Sequence, residues 1–298
     1  MRARSHSRSS LRAARLRVAV TITTRQRGRW MTQVSDTPAR TRAQITERTF
    51  RTDPWWNRGR VVATLLTVWV AYATFRVLTG HWYYVPADHY LTPFYSPCVS
   101  GECVPGSSTL GHWIPSIPPI IPYAFVSLPF VLGFRLTCYY YRGAYYRAFW
   151  RSPSACAVRE PHAKYSGETK LPLIAFNLHR FFFYMAIVIS VLNTYDMVQA
   201  FRGPNGSFGI GLGSLIIGVN VVLLWAYTLS CHTCRHITGG RLKNFSKHPV
   251  RYWFWTQISK LNKRHMQLAW TTLTTLMLTD LYIMLVAANA FPDPRFFN

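Results

Sequence analysis

The chain carries six cysteines and ten histidines in 298 residues, and their densest grouping is Ser230-Cys231-His232-Thr233-Cys234-Arg235-His236. A Cys-x-x-Cys pair is a common chelating unit, because soft thiolates select Zn, Cu(I) or the iron of iron–sulfur clusters. On a regular helix Cys231 and Cys234 would lie about 60° apart, so both sulfurs reach one metal. His232 and His236 are spaced i, i+4 and share another face. One metal cannot take all four unless the helix unwinds, and Gly239-Gly240 just beyond allows some unwinding. The blander alternative is a capped helix end with buried thiols and two interfacial histidines.

Two further histidines belong with this group. His179, in Asn177-Leu178-His179-Arg180, and His265, in Lys263-Arg264-His265-Met266, each open an apolar stretch. With Cys231 and Cys234 they make a set of two thiolates and two imidazoles, His236 and His232 standing in reserve. That donor count suits tetrahedral zinc. It equally suits a Rieske-type [2Fe–2S] centre, and the two histidines alone could clamp a b-type haem. Residue types do not choose among the three.

Asp280 is the only acid well inside an apolar span, which makes it a functional candidate. It lies 15 residues past His265, about 22 Å further along a helix. It could relay protons or simply hydrogen-bond Thr279 or a partner helix. Arg180 and Arg235 flank the His/Cys layer and could bind a quinone carbonyl or an anionic headgroup, or merely mark the inner side. Arg76 and Arg135 lie near span ends and are expected to snorkel. The aromatic run Tyr252-Trp253-Phe254-Trp255 sits in a basic segment and suits an interfacial helix, a pocket floor or a docking surface. Cys98 and Cys103, five apart, could close a small disulfide loop or remain free thiols. No phosphate-binding glycine loop and no Gly-x-Ser-x-Gly nucleophile motif is present.

The elements that must position these residues are membrane spans. Apolar residues make up 49% of the chain and charged ones 15%, yet Lys and Arg outnumber Asp and Glu 34 to 10. Long uncharged runs alternate with short basic segments, which excludes an ordinary soluble enzyme and a nucleic-acid binder, whose basic residues would share one folded surface. Five spans are expected, near 61–78, 120–140, 173–195, 210–230 and 266–290. Lys and Arg are absent from 80–119, number six in 141–171, one in the connection at Arg202, and eight in 235–264. This alternation predicts an all-α five-helix bundle with its N-terminus inside and C-terminus outside. The net charge of +24 then follows largely from topology. Residues 1–48 are expected to be an Arg-rich leader, disordered or over-called at the gene start, with residues 49–298 forming the membrane domain; nine Arg and no acid in 1–30 also fit a transit peptide.

Six segments carry a resemblance: HYLTPFYSPC (89–98), AYYRAFWRSPSACAVREPHAKYSGETKLPLI (144–174), NLHRFFFY (177–184), SCHTCRH (230–236), LKNFSKHP (242–249) and NKRHM (262–266). Together they resemble the single-chain, five-helix membrane anchor of actinobacterial succinate dehydrogenase, over most of residues 50–290. The resemblance implies a multi-pass protein of the cell's inner (plasma) membrane, beneath a flavoprotein and an iron–sulfur subunit on the cytoplasmic side. It implies a Rieske-type [2Fe–2S] cluster in place of haem b, and electron transfer to a quinone, expected to be menaquinone. Carried over by position, Cys231 and Cys234 would hold one iron, with His179 and His265 on the other. The chain would have no succinate site of its own and would be inactive alone. A haem b anchor, or a non-redox membrane protein with a zinc clip, is the alternative.

Overall fold

The structure, a computed structural model, describes residues 51–298 apart from Thr109, 115–120, 159–172, Pro204 and Arg241. The expected leader, 1–48, lies outside the described residues. Among the described residues four helices are long and apolar enough to cross a membrane: α1 (Asn57–Thr79), α4 (His179–Ala200, entered through a 3-10 turn at Leu173–Leu178), α5 (Leu212–Leu229) and α8 (His265–Ala287). Each matches an expected span within a few residues.

The expected span 120–140 is built differently. A 3-10 turn at Tyr123–Val126 leads into α2 (Leu128–Thr137), where Pro129 sits in the first turn and gives up no hydrogen bond. Cys138 is then extended, at φ −62° and ψ 131°, and α3 (Tyr139–Tyr145) starts afresh. A short π turn, Tyr146–Trp150, follows. The apolar run legible in sequence is therefore one broken segment and not one helix. The second break falls after α5. Cys231 is again extended, at φ −62° and ψ 143°, and caps α6 (His232–Gly239), with its sulfur accepting from the Thr233 amide. The regular helix expected to carry both Cys231 and Cys234 is thus absent. A basic, aromatic helix, α7 (Pro249–Asn262), packs on α6 before α8 begins.

Helix α5 packs between α4 and α8, α2 lies against α4, and α1 reaches α3 and α8. At the opposite end from α6 and α7, residues 80–114 form a packed cap. Its small hairpin pairs β1 (Tyr84–Val85) with β2 (Tyr90–Leu91). Buried Tyr83, Phe94, Tyr95 and the Cys98–Cys103 disulfide form its core with Val77 of α1 and Leu276 of α8. The C-terminal tail closes the cap. Strand β3 (Ile210–Gly211) pairs with β4 (Arg295–Phe297), Arg295 ion-pairs with Asp88, and Asp293 accepts from Tyr90, Tyr282 and the Gly213 amide. A carboxylate on that amide satisfies an otherwise unpaired donor and favours the positive end of α5.

Two arginines expected to snorkel do neither. Arg76 is fully buried and its Nε donates to Asp280 at 2.6 Å, while Tyr72 donates to the same carboxylate at 2.5 Å. Its remaining nitrogens meet the His81 and Trp82 carbonyls of the cap. Arg135, also buried, donates to the Tyr141 hydroxyl at 2.7 Å and lies 5.0 Å over the Tyr227 ring. Both find inward partners, and a paired or ring-stacked guanidinium need not reach for the headgroups.

Candidate metal centre

The two helix breaks face each other across the bundle, with His179 at the start of α4 and His265 at the start of α8 between them. Each break is a hydroxyl residue followed by a cysteine: Thr137-Cys138 and Ser230-Cys231. Their contacts are crossed. Thr137 Oγ1 lies 2.8 Å from Nδ1 of His179, while Cys138 Sγ lies 3.5 Å from Nε2 of His265. Ser230 Oγ lies 2.6 Å from Nδ1 of His265, while Cys231 Sγ lies 3.2 Å from Nε2 of His179. Each dipeptide orients one imidazole by its hydroxyl and presents its thiol to the other.

The hydroxyl protons decide the tautomers. Thr137 donates its proton to the Gly133 carbonyl at 2.7 Å, and Ser230 donates to the Tyr227 carbonyl at 2.7 Å. With those protons on the carbonyls, both hydroxyls accept from the imidazoles, which assigns the proton to Nδ1 of each histidine. Nε2 of each then turns its lone pair toward a thiol. This is the arrangement of metal-ligating histidines, where a partner on one ring nitrogen fixes the other for the metal.

Packing holds the rings. The His179 ring stacks on Phe134 at 5.0 Å, and the His265 ring stacks on Tyr227 at 5.1 Å. His265, Cys138 and Cys231 are all buried. Burial pushes the Cys231 thiol up to about 11, and Cys138 beside it pushes the same way. Among the described residues no three His, Cys, Asp or Glu groups converge tightly enough to hold a single ion. The donors come as two imidazole–thiol pairs.

The sequence of residues 58–289 matches the family described as actinobacterial succinate dehydrogenase subunit SdhC. The chain belongs to this family. It is a membrane subunit of a succinate dehydrogenase complex and catalyses nothing by itself. Among solved structures, the Mycobacterium smegmatis Sdh1 complex in the apo form contains a chain 62% identical, with a TM-score of 0.82, covering 87% of this chain and 98% of that one. No curated protein sequence matches.

Within this SdhC chain the expected residues separate. His179, His265 and Cys231 come together. Cys234 is buried in the same apolar cluster, but it lies within α6, where burial raises its thiol against a hydrogen bond from Thr238. His232 is exposed, its ring 6.4 Å from that of His265, and burial on its inner side lowers its pKa. His236 is exposed and its ring lies against Gly240. Arg180 is half-buried beside His179. Arg235 is drawn to α7, donating to Ser259 at 3.0 Å and lying 4.9 Å over the Trp255 ring. Asp280 lies 15 residues past His265 along α8, paired with Arg76. The residue that sequence reasoning missed is Cys138. It stands alone in a tyrosine-rich run, and its one signal is the hydroxyl–cysteine dipeptide it shares with Ser230-Cys231.

Proposed function

We propose that this SdhC subunit is the redox-active anchor of a succinate:quinone oxidoreductase, holding a Rieske-type [2Fe–2S] centre at the crossed His–thiol layer. The observation that carries the proposal is the pairing of two pre-oriented Nε2 lone pairs with two thiols. Two thiols and two imidazoles are the donor set of such a centre, which takes both thiolates on one iron and both imidazoles on the other, so loading would re-pair the His–thiol contacts of this layer. Both Nε2 atoms face sulfur, which favours this centre over a haem b clamped between the same histidines. Cys138, Cys231, His179 and His265 would hold it; Cys234 is the nearest substitute thiol. When bound, the group supplies one-electron transfer at a potential raised by its imidazole ligands.

The chain's own contribution is orientation, burial and exclusion of water. Thr137 and Ser230 hold the rings, and Phe134 and Tyr227 seal them. The broken segment α2–α3 would be the fifth crossing, completing the five-helix bundle. The Lys- and Arg-free segment with the disulfide would then face outside, in an oxidising compartment. The basic α6–α7 end would face the cytoplasm of an inner-membrane anchor and dock the flavoprotein and iron–sulfur subunits. Electrons would arrive there and leave on a quinone, expected to be menaquinone, with Arg180 and Arg235 as candidate contacts.

The test is low-temperature electron paramagnetic resonance on the purified, dithionite-reduced complex, with an optical spectrum and metal analysis. A Rieske-like signal is expected in the parent complex, lost in Cys138→Ser and His179→Ala and kept in Cys234→Ser. Loss in Cys234→Ser with survival in Cys138→Ser would restore the Cys231/Cys234 pair. A haem Soret band without the signal would establish the haem alternative, and stoichiometric zinc without iron the structural clip.

A further inference from the structure

A second set of buried polar groups lies between the His/Cys layer and the cap. A cavity of about 40 Å³ in the middle of the bundle is lined from α1, α2, α4, α5 and α8. Three of its lining residues carry polar atoms with no hydrogen-bond partner among the described residues: Trp69 Nε1, Tyr227 Oη and Thr228 Oγ1. Tyr227 and Thr228 are at least 99% buried. Buried polar atoms are almost always hydrogen-bonded, so such a concentration points to a missing partner. The volume identifies it. A water needs roughly 10–15 Å³ of this kind of space, so the cavity takes about three, whereas a quinone-sized ligand needs a pocket of some hundreds of Å³.

Polar side chains continue from the cavity toward the cap. Ser190 and Asn193 of α4, both buried, line it. One turn further on the same helix stands Asp196, neighbouring Asn193 at i+3. Asp196 is partly exposed, and its partner is the hydroxyl of Ser96 in the cap. No cation stands within ion-pair distance of it among the described residues. Asp280 differs: it is ion-paired with Arg76 and accepts a hydrogen bond from Tyr72. A relay acid must be able to take up a proton, which an arginine partner opposes. At the inner end the cavity meets Arg135 and Tyr227, and the Tyr227 ring covers His265.

We infer that the cavity holds an ordered cluster of about three waters and that Asp196, Asn193, Ser190 and this cluster form a proton half-channel from the cap end of the bundle to the His/Cys layer. It rests on the proposed function, because quinone reduction consumes two protons along with two electrons. Asp196 takes up a proton from the cap side, and the proton passes by hydrogen-bond hops through the waters. No bond other than those to hydrogen changes.

The experiment uses the whole complex reconstituted in liposomes, with a pH dye trapped inside and succinate and a short-chain quinone added. In vesicles whose cap end faces inward, turnover of the parent complex alkalinises the lumen. Asp196→Asn lowers succinate:quinone turnover on the order of tenfold or more and abolishes the luminal change. Asp196→Glu recovers both, while succinate oxidation by phenazine methosulfate stays at the parent rate. Thr228→Val, which keeps the shape and removes one water partner, slows quinone turnover without altering the dye-linked rate. Asp196→Asn turnover within twofold of the parent, or a lumen that never alkalinises, overturns the half-channel. A parent complex that oxidises succinate with the dye but has neither the Rieske-like signal nor quinone turnover overturns the proposed function itself, and the channel with it.

Discussion

At the scale of residues, the two hydroxyl–cysteine dipeptides explain why imidazoles and thiols meet with their lone pairs correctly aimed. A ring nitrogen accepts or donates according to where its proton sits, and Thr137 and Ser230 settle that by spending their own protons on helix carbonyls. Thr137→Val and Ser230→Ala keep every thiol and imidazole but release this hold. Each is expected to weaken metal retention about 10- to 100-fold, the usual cost of losing an outer hydrogen bond. Iron content measured against a graded chelator would show it; full retention in both variants would mean that packing alone orients the rings. Much of this layer was legible. Cys231, His179 and His265 stand out by type and by their place at span ends. Cys138 does not, because a lone cysteine carries no spacing signal.

At the scale of elements, Cys138 and Cys231 both occupy extended breaks between helices, and the breaks are what turn their thiols into the bundle. Helix α2, which precedes the first break, is closely packed on α4. Gly133 lies directly against the Phe182 ring of α4, so close that a Cβ there would overlap it. Gly133→Ala is expected to destabilise the complex by about 1–3 kcal/mol, as overpacking does. Phe182→Leu should restore most of the loss, which thermal melting of the two single variants and the double variant would reveal. Additive losses in the double variant would refute the contact. Hydropathy found this segment but could not see its break, because Cys138 is neither proline nor glycine and nothing local forbids a continuous helix.

At the scale of the whole molecule, one buried ion pair ties the cap to the spans. Arg76 and Asp280 are both fully buried, and Arg76 also holds two cap carbonyls. Removing one partner strands a charge away from water. Arg76→Met alone is expected to cost about 3–5 kcal/mol, while Arg76→Met with Asp280→Leu recovers much of it, because an apolar pair carries no desolvation penalty. Chemical or thermal denaturation of the assembled complex decides this. Equal losses in the single and double variants would show that the cap carbonyls, and not the carboxylate, are the guanidinium's main partners.

The amino-acid sequence by itself determined the class of this protein. Apolar runs of membrane length need no tertiary information, since each span satisfies its backbone internally. Alternating basic loops, the Cys-x-x-Cys and the family resemblance are equally local. Tertiary structure decided which donors meet. Cys138 and Cys231 are 93 residues apart in sequence, and only the packing of α2, α4, α5 and α8 brings their thiols to His265 and His179. The same holds for charge. Arg76 reads as a snorkelling end residue until Asp280, 204 positions away, arrives beside it. Asp196 gains its partner only where the cap reaches it through Ser96. Pairing depends on distance in space, and no property of one segment encodes the partner that another will supply.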